Sequence, residues 1–470
     1  MKVMFVQLPH FFEGTSRPPT MYPLGISYLV SLLKKDHELV PMDLWIENSS
    51  VNTALSLIKK NVPDIFCVSV YSTQYPYFKE LISALKAEFP AIKVIAGGPG
   101  ATFSYSIFLE RTLVDYCVIG EGEMTLKELL ANLDCPEKVP GIVFRKNGSL
   151  FRTAPREQIK NLDTLPLPDR EFFNIEQYIS NRVRRGEPRS TNLIAGRGCP
   201  YQCTFCSKTF SGIRLRSIDK IEEEINYLKT KYKLDVVDFD DELVIVNKQR
   251  ILQLCEMLKP CNIKWGCQGR INAVDVEILQ AMKDAHCIYV GYGVESYSQK
   301  ILDNMKKKVK VETIIPVIEM TKKVGIKPVI QYMYGFPGED DDSINNTIEL
   351  FKAIDTPYYG FTTTPIPGTE LYSQTLAKGL IKDEEEYLLK LASGYNSAMP
   401  LLNLTNFSDD EFLAKRDKMI KVLSRIYFKN HPALYVKQIF VKYISFAKLL
   451  LFNPQKAIGK IGKRLSVFAK

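Results

Sequence analysis

Histidine is scarce in this chain of 470 residues, and this scarcity excludes several kinds of catalytic site. The sequence contains four histidines, at His10, His37, His286 and His431. No Ser/His/Asp or Cys/His catalytic set is visible, and a zinc site that combines histidine with cysteine is disfavoured. The chemistry of the chain must therefore rest on other groups.

Long apolar runs are also absent, since none approaches the roughly 18 residues of a membrane-spanning helix. The start, Met1 to Pro9, is too short for a signal peptide and is typical of a first β-strand. With 46% hydrophobic and 24% charged residues, the chain is expected to be globular, with two or three domains. Ten cysteines without a secretion signal indicate a reducing, cytoplasmic location.

Acidic residues are missing after Asp417, where 12 lysines and arginines follow. The preceding residues hold 50 basic against 53 acidic groups, so the net charge of +9 arises in the tail. Within residues 435–452, Lys437, Lys442 and Lys448 interrupt aromatic and aliphatic residues at helical spacing. Such a helix can lie on an anionic membrane surface, cover an active site or pack on the core. Nucleic-acid binding is disfavoured, because no recognised motif appears.

Three cysteines, Cys199, Cys203 and Cys206, lie within one short segment with the spacing C-x3-C-x2-C. Thiolates at such spacing bind iron–sulfur clusters, and three of them leave one iron of a four-iron cubane free to bind a small molecule. Zinc prefers paired C-x2-C units or a Cys/His set, and no histidine is near. The sequence therefore favours a catalytic [4Fe-4S] cluster, with Phe205 as an apolar ring beside it.

Strand and helix patterns alternate in residues 1–135, which predicts a parallel sheet with helices on both faces. Ligands bind such sheets at the carboxyl ends of strands, and glycines there allow a planar ligand to approach the backbone. The residues at these ends are Ser69, Ser72, Gly97, Gly98, Gly120, Glu121 and Gly122.

A second alternation begins near Ser190, and six βα units predict an open partial barrel. Its active site is expected at the carboxyl ends of the strands, where the cysteine segment follows the first strand. The other candidates at successive strand ends are Asp240, Asp241, Arg270, Glu295 and Gly335. Between the two alternations, residues 141–153 contain Asn147-Gly148 and predict a hairpin.

The cysteine motif, with an aromatic residue before the third cysteine, resembles that of the radical SAM enzymes. The glycine-bearing strand ends and Pro23-Leu-Gly-Ile-Ser-Tyr-Leu29 resemble the cobalamin-binding domain of one large radical SAM subfamily, which includes methyltransferases and the anaerobic tetrapyrrole cyclases. The resemblance implies a cobalamin-binding Rossmann-like domain at 1–135, a linker with a hairpin at 136–188, a radical SAM partial (β/α)6 barrel at 189–385 and a helical basic region at 386–470.

The resemblance also implies roles for the barrel residues. Glu295 would accept the ribose hydroxyls of S-adenosylmethionine, Arg270 would bind its carboxylate, and Asp240 and Asp241 would meet its amino group or order the site. Gly335 belongs to a loop near the adenine. The bland alternatives are salt bridges between loops for Arg270 and Glu295, and helix capping for the two aspartates. Capping is the favoured interpretation of Glu339 to Asp342.

One departure concerns cobalt ligation. Some cobalamin domains carry Asp-x-His-x-x-Gly after the first strand, and that histidine binds cobalt. In this chain His10 has no aspartate two residues before it and stands four residues from Gly14. We interpret His10 as a loop residue, which implies either cobalamin bound without a protein histidine or no cobalamin.

The favoured function is methylation of an unactivated carbon by a 5′-deoxyadenosyl radical and methylcobalamin. A radical cyclase or oxidative rearrangement of the tetrapyrrole kind is the first alternative, and a non-enzymatic iron–sulfur or metal-binding protein is the second. Expected partners are a small-molecule substrate, which could be a lipid or a tetrapyrrole, and a reductant such as flavodoxin or ferredoxin, with peripheral membrane contact through the tail.

Overall fold

A computed structural model describes residues 1–12, 15–16, 18–47, 49–394 and 400–436 of the chain. Its first part contains nine strands and five helices among these residues. The strands are β1 (Lys2–Gln7), β2 (Phe11–Phe12), β3 (Thr15–Ser16), β4 (Glu38–Asp43), β5 (Ile65–Ser69), β6 (Lys93–Gly97), β7 (Tyr116–Val118), β8 (Ile142–Lys146) and β9 (Ser149–Arg152). The helices are α1 (Leu24–Leu33), α2 (Val51–Lys60), α3 (Tyr75–Glu88), α4 (Gly98–Arg111) and α5 (Gly122–Ala131).

The first sheet has the order β4-β1-β5-β6-β7-β8-β9, and its first five strands run parallel. This arrangement confirms the predicted parallel sheet. The strands read as apolar runs because both faces are covered by helices, and residues 3–7 of β1 are buried throughout. The carboxyl ends of the five parallel strands meet at one edge.

The predicted hairpin forms, and it extends the first sheet rather than standing apart. Strand β8 pairs antiparallel with β7, and β9 pairs antiparallel with β8. Asn147 and Gly148 both have positive φ, at 51° and 80°. Two such residues between paired strands match the hairpin turn that Asn-Gly favours.

The connector contains a helix that the sequence analysis did not predict, α6 (Ile175–Arg184). The Asn192 side chain at the start of the second sheet accepts from the Tyr22 N–H at 2.8 Å and donates to its carbonyl at 3.1 Å. Tyr22 in turn donates from its hydroxyl to the Phe173 carbonyl. These hydrogen bonds tie the loop before α1 to both the connector and the second sheet.

The second part contains the remaining strands and helices of the described chain. The strands are β10 (Ser190–Leu193), β11 (Gly196–Arg197), β12 (Arg214–Leu215), β13 (Val236–Phe239), β14 (Lys264–Gly269), β15 (Cys287–Glu295), β16 (Lys327–Tyr334) and β17 (Tyr359–Thr362). The helices are α7 (Ile218–Tyr232), α8 (Lys248–Cys261), α9 (Val276–Asp284), α10 (Gln299–Asn304), α11 (Ile314–Lys323), α12 (Asp341–Ile354), α13 (Glu370–Ala377), α14 (Glu384–Gly394) and α15 (Asp409–Asn430).

The second sheet has the order β10-β13-β14-β15-β16-β17, and every neighbouring pair is parallel. The six strands follow one another in sequence order, and no pairing joins β10 to β17 among the described residues. This is the open partial barrel that the sequence predicted. Its carboxyl ends carry the cysteine segment and the candidate residues.

Two helices near the end of the described chain pack on parts far away in sequence. Helix α14 lies on the first sheet's side, where Glu385 accepts from Tyr75 at 2.8 Å and pairs with Lys79 at 2.6 Å. Helix α15 packs on α12 and brings Phe412 against Tyr334. Both helices lie in the region at 386–470 that was expected to be helical or directly before it, whereas most of the basic segment at 435–452 lies outside the described residues.

Two large cores hold these layers together. One contains apolar residues of one face of the first sheet together with the second sheet and α6. The other contains the opposite face of the first sheet together with residues of α13 and α14. Among the described residues, no helix combines the length and apolarity that crossing a bilayer would need.

Candidate functional site

The cysteine segment is a loop closed at its base by a short ribbon. Strand β11 pairs antiparallel with β12, so that Arg197 lies opposite Arg214 on either side of residues 198–213. Gly198 begins the loop with a φ of +87°, and a side chain there would approach the Gly212 carbonyl oxygen to 2.4 Å. The loop therefore requires glycine at this position, because any Cβ would prevent its closure.

The loop is fastened to the barrel around the middle cysteine. The Thr204 N–H donates to the Met305 carbonyl at 3.0 Å, and the Thr204 carbonyl accepts from the Leu371 N–H at 2.8 Å. The Phe205 ring lies edge-on to Phe336, at 6.4 Å between centroids. The predicted apolar ring beside the cysteines is thus part of a small apolar cluster.

The three thiols are free cysteines whose environments differ in exposure, and Cys206 is the most exposed of them. Burial raises the pKa of Cys206 to about 11, and Cys203 and Cys199 add to the rise, whereas Lys307 and Lys208 oppose it. The Cys206 N–H donates to the Cys203 carbonyl at 3.3 Å, which keeps these two residues together on the loop. Their negative charge as thiolates would be offset by these lysines.

The donor set fits a four-iron cluster better than a single ion. Within the described part of the chain, no three His, Cys, Asp or Glu side chains gather closely enough to hold one metal ion. A cubane instead binds each thiolate to a different iron. Three thiols on one loop, with cations beside them and no fourth ligand among them, match that requirement.

Arg270 lies directly against the cysteine loop. Its guanidinium sits 3.6 Å from the centroid of the Tyr201 ring, and its Nη1 lies 3.8 Å from Cys203 Sγ. It also donates from Nη2 to the Lys307 carbonyl. The structure therefore brings this predicted carboxylate-binding residue to the cluster loop, although its proposed contact with S-adenosylmethionine stays a prediction.

Glu295 is buried beside the same loop in an unusual backbone conformation. Its φ is +66°, which is rare for a residue with a side chain and costs energy that the surroundings must repay. Its Oε1 accepts from Lys307 Nζ at 3.1 Å. A side chain at Gly293 would come within 2.4 Å of the same oxygen. The Glu295 carboxylate is thus held in place by its strained backbone, by the space that Gly293 leaves for it and by the buried ion pair with Lys307.

Lys307 is a site residue that the sequence analysis missed. It is 6% exposed, and its Nζ lies 5.6 Å from the Phe205 ring centroid as well as against Glu295. It stands in the run Lys306-Lys307-Lys308, and the residues on either side have φ values of 53° and 54°. Nothing in the sequence distinguishes the middle lysine, because its burial follows from these local backbone turns.

The two aspartates after β13 have different surroundings. Asp241 is buried and accepts the Ala195 N–H at 2.9 Å, and burial raises its pKa to about 8. Asp240 lines an open cavity, and burial raises its pKa to about 6, with Asp238 and Glu242 adding to the rise. Asp241 therefore orders the end of β10, whereas Asp240 is available to a ligand.

The loop after β16 is held by a buried glutamate. Glu339 accepts from Tyr332 Oη at 3.0 Å and from the Gly335 N–H at 2.7 Å. Burial raises the pKa of Glu339 to about 7. Asp340, not Glu339, caps α12 through the Ser343 N–H. The capping interpretation thus holds for Asp340 at the N-cap and for Asp341 and Asp342 in the first turn, while Glu339 shapes the Gly335 loop.

A cavity of about 620 Å³ opens where the two sheets present their carboxyl ends to each other. One wall comes from the first sheet, and it includes Ser69, Gly97, Gly98, Gly120, Glu121 and Gly122. The other comes from the second sheet, with Asn192, Ile194, Gly196, Arg197, Asp240 and Glu242. Ser72, which is 7% exposed, does not line this cavity.

The first-sheet wall fits a broad planar cofactor such as cobalamin. Side chains at Gly25 or Gly120, which both line the cavity, would meet no atom within 4 Å. The bare backbone at these positions leaves room that a ligand can fill. The cavity volume lies within the range of small-molecule and cofactor sites, roughly 300–1,000 Å³.

His10 is a loop residue, as interpreted from the sequence, and it lies in this cavity wall. Its ring lies 4.5 Å from Trp45 and 5.2 Å from Tyr71 between centroids, and all three residues line the cavity. Burial lowers the pKa of His10 to about 4. A neutral, aromatic patch therefore faces the space at the ends of β1, β4 and β5.

The carboxylate of Glu121 is engaged in a network of ion pairs and is not an open hydrogen-bonding group. Its Oε1 accepts from Arg197 at 2.8 Å, and its Oε2 accepts from Arg214 at 2.8 Å and from the Ile159 N–H at 2.8 Å. Glu123 accepts from Arg197 at 2.6 Å. Burial would raise the pKa of Glu121, but the hydrogen bonds from Arg214, Ile159 and Arg197 outweigh it and lower that pKa.

Comparison with known proteins assigns both halves of the site. Residues 193–351 match the Radical SAM superfamily, and residues 14–130 match the B12 binding domain. These ranges cover the cysteine loop with its barrel and the first-sheet wall of the cavity. The chain is therefore a radical SAM enzyme with a cobalamin-binding domain.

Relatives share this combination over most of their length. An uncharacterized methyltransferase of Pyrococcus horikoshii is 28% identical over 91% of this chain and 91% of its own. The anaerobic magnesium-protoporphyrin IX monomethyl ester cyclase of Cereibacter sphaeroides is 24% identical, over 92% of this chain and 71% of its own. The chain belongs to the cobalamin-dependent radical SAM family, whose cofactors are a [4Fe-4S] cluster, S-adenosylmethionine and cobalamin.

A solved structure shows the same fold. The radical S-adenosylmethionine methyltransferase TsrM from Kitasatospora setae superposes with a TM-score of 0.66 at 18% identity, covering 80% of this chain and 76% of that one. The two-sheet arrangement of the present chain is therefore an established architecture.

Proposed function

We propose that this enzyme transfers a methyl group to an unactivated carbon of a small-molecule substrate. The observation that carries the proposal is the cavity that the two sheets share. One of its walls belongs to the B12-binding match and the other to the radical SAM match. A substrate in that cavity would be within reach of both cofactors, which carbon methylation by this route requires.

The chain's own residues divide the work of positioning. Cys199, Cys203 and Cys206 would hold the cluster and leave one iron for S-adenosylmethionine. Glu295 would accept the ribose hydroxyls, and Arg270 would bind the carboxylate beside the Cys203 thiol. Lys307 would hold the buried Glu295 carboxylate in position through their ion pair at 3.1 Å.

Ser69, Gly97, Gly98, Gly120 and Gly122 would receive cobalamin at the strand ends. When bound, the cofactors supply a 5′-deoxyadenosyl radical and a transferable methyl group, and the protein keeps water away from both. Asp240 faces the cavity from the second sheet and would orient polar groups of the substrate. An external one-electron donor of the flavodoxin or ferredoxin kind would be needed at the exposed Cys206 side of the loop.

The decisive experiment is an anaerobic assay of the reconstituted enzyme. The chain is supplied with iron, sulfide, cobalamin, dithionite and S-adenosylmethionine, and its nucleoside products are identified by mass spectrometry. The proposal expects retained cobalamin, 5′-deoxyadenosine and S-adenosylhomocysteine. Deoxyadenosine without S-adenosylhomocysteine, in the presence of retained cobalamin and a range of acceptor compounds, would refute methyl transfer.

A second function, ring-forming oxidation, is favoured by the cyclase relative that spans 92% of this chain. Its substrate would be a tetrapyrrole, which is planar and apolar enough to lie against the wall of His10, Trp45 and Tyr71. The two functions separate in the same assay. A cyclase consumes S-adenosylmethionine without forming S-adenosylhomocysteine, and its substrate loses hydrogens rather than gaining a methyl group.

A further inference from the structure

Four charged side chains join the two walls of the cavity, and we call this set the clamp. It consists of Glu121 and Glu123 at the end of β7 and Arg197 and Arg214 on the ribbon that closes the cysteine loop. Arg197 donates from Nη1 to Glu121 at 2.8 Å and from Nη2 to Glu123 at 2.6 Å. One guanidinium thus holds two carboxylates of the opposite sheet.

The clamp is buried, so its geometry is well defined. The side chain of Arg197 is 8% exposed, and those of Glu121 and Glu123 are 4% and 6% exposed. The Arg197 guanidinium also lies 5.2 Å from the Tyr28 ring centroid and 5.8 Å from that of Phe210. Two cations balance two anions, which is the condition under which buried ion pairs are tolerated.

Arg197 stands close to the first cysteine of the loop in the sequence, so the clamp can influence where that cysteine lies. Arg197 precedes Gly198, and Cys199 follows directly. Gly198 has no freedom to absorb a shift, because its N–H donates to Glu242 at 3.1 Å and its Cα faces the Gly212 carbonyl. A movement of Arg197 relative to Glu121 would therefore pass to the first cysteine.

We propose that Arg197 is a positioning residue that sets where the cysteine loop lies relative to the first-sheet wall, through Glu121 and Glu123. The clamp does not touch the reacting atoms. It fixes the separation and orientation of the two cofactor sites across the shared cavity. The clamp would position the cysteine loop in the same way for methyl transfer and for ring-forming oxidation.

The first test uses the magnetic interaction between the two cofactors. The enzyme is reconstituted with iron, sulfide and cob(II)alamin and reduced until the cluster carries an unpaired electron, and pulsed electron paramagnetic resonance then gives the distribution of distances between the two spins. Arg197→Gln and Glu123→Gln are expected to broaden this distribution at least twofold at unchanged iron and cobalamin content. Arg197→Lys keeps one of the two ion pairs that Arg197 makes. The width of its distance distribution should fall between that of these two variants and that of the unaltered enzyme.

A matched control lies in the same half of the molecule. Glu224 forms an equally buried ion pair with Arg216 at 2.6 Å, but it has no contact with the first-sheet strand ends among its described partners. Glu224→Gln is expected to lower stability while leaving the distance distribution unchanged. Equal distributions in Arg197→Gln, Glu123→Gln and the unaltered enzyme would overturn the proposal, as would equal broadening in Glu224→Gln.

A second measurement tests the clamp without cobalamin. Amide hydrogen exchange is followed in the cluster-loaded enzyme at residues 119–125 and 196–200. Arg197→Gln should speed exchange in both segments together by about tenfold, whereas a change confined to 196–200 would refute the link. An unaltered enzyme that fails to retain cobalamin would count against the proposed function, and the exchange rates in the two segments would still support or refute the clamp.

Discussion

His10 illustrates how one buried side chain links acidity to stability. In the folded chain burial lowers its pKa to about 4, from an ordinary value near 6.5. Between these two pH values the unfolded chain binds a proton that the folded chain does not. The contribution of His10 is thus unfavourable at low pH, and stability must fall as pH decreases from about 6.5 to about 4.

We therefore expect His10→Phe to reduce the acid sensitivity of the protein. The variant should lose less stability than the unaltered chain between pH 7 and pH 5, by on the order of 1–2 kcal/mol. Anaerobic urea unfolding at the two pH values measures the difference. His286→Asn is the matched control, because His286 lies outside the cavity lining at a positive φ that asparagine tolerates. The same acid sensitivity in His10→Phe and the unaltered chain would contradict the expectation.

The second prediction at the scale of single residues concerns the proposed contact between the Glu295 carboxylate and the ribose of S-adenosylmethionine. Glu295→Gln should weaken S-adenosylmethionine binding about tenfold or more, because hydrogen bonds to a charged group are worth roughly 1.5–3 kcal/mol. Iron content should stay unchanged. Equilibrium dialysis with the labelled ligand measures the affinity.

Gly293→Ala offers an independent route to the same result, since its new methyl group would displace the Glu295 oxygen. Glu370→Gln serves as the control: Glu370 pairs with Lys306, the neighbour of Lys307, but at an exposed position. Unchanged affinity in both Glu295→Gln and Gly293→Ala would remove the ribose-binding role.

At the scale of elements, the ribbon β11–β12 explains why a loop with few internal hydrogen bonds can present three thiols. The ribbon fixes both ends of residues 198–213, and the Thr204 backbone fixes its centre to the barrel. The cysteines are therefore arranged before iron arrives, which lowers the entropy lost on cluster binding. Gly198 is the position where this arrangement is most sensitive.

Gly198→Ala should give a folded protein that fails to bind its cluster. The new Cβ would meet the Gly212 carbonyl oxygen at 2.4 Å, so the loop cannot keep its closed form. The measurement is the iron content per chain after reconstitution. We expect less than about a fifth of the normal amount, because the cysteines would no longer be arranged to bind the cluster.

Gly148→Ala is the control for the backbone conformation alone. Gly148 also has a positive φ, at +80°, but a Cβ there would meet no atom within 4 Å. That change should cost only about 1–2 kcal/mol of stability and leave iron binding intact. Equal iron content in the two variants would show that loop closure does not depend on Gly198.

The same scale shows what could be predicted from the sequence. The alternation of strands and helices was readable, because short apolar runs typical of buried strands alternate with longer helical patterns. Strand β15 continues to Glu295, and the sequence pattern alone does not specify that end. Its extension depends on pairing with β16 across a register shift at Gly293, which only the sheet as a whole specifies.

The site was partly predictable for a related reason. Residues at strand ends were found because parallel strands present them at one edge. Lys307 was not found, since three consecutive lysines look alike until the backbone buries one of them. The ion pairs of Glu121 were not predicted for a similar reason: its partners Arg197 and Arg214 lie 76 and 93 residues away in the sequence.

At the scale of the whole molecule, the distribution of charge separates the tail from the rest. Residues 1–417 are slightly acidic, and eight of the chain's lysines and arginines stand in residues 437–470 without an acidic neighbour. We expect the full chain to sediment with vesicles containing anionic lipid and a chain that ends at residue 436 to stay in solution. Binding should weaken as salt is raised. Equal sedimentation of the two chains would exclude the tail as a membrane contact.

The return of α14 to the first sheet has a consequence for how the protein is made. Helix α14 packs on α3 and α4, which cover one face of that sheet, and it is tied to α3 through the Tyr75–Glu385 hydrogen bond, which spans 310 residues. At roughly 5–20 residues per second, the ribosome needs on the order of tens of seconds to reach Glu385 after it has completed the sheet. During that interval the apolar surface of α3 and α4 against which α14 packs stays exposed on the nascent chain. The packing on this side of the first sheet can therefore be completed only late in synthesis.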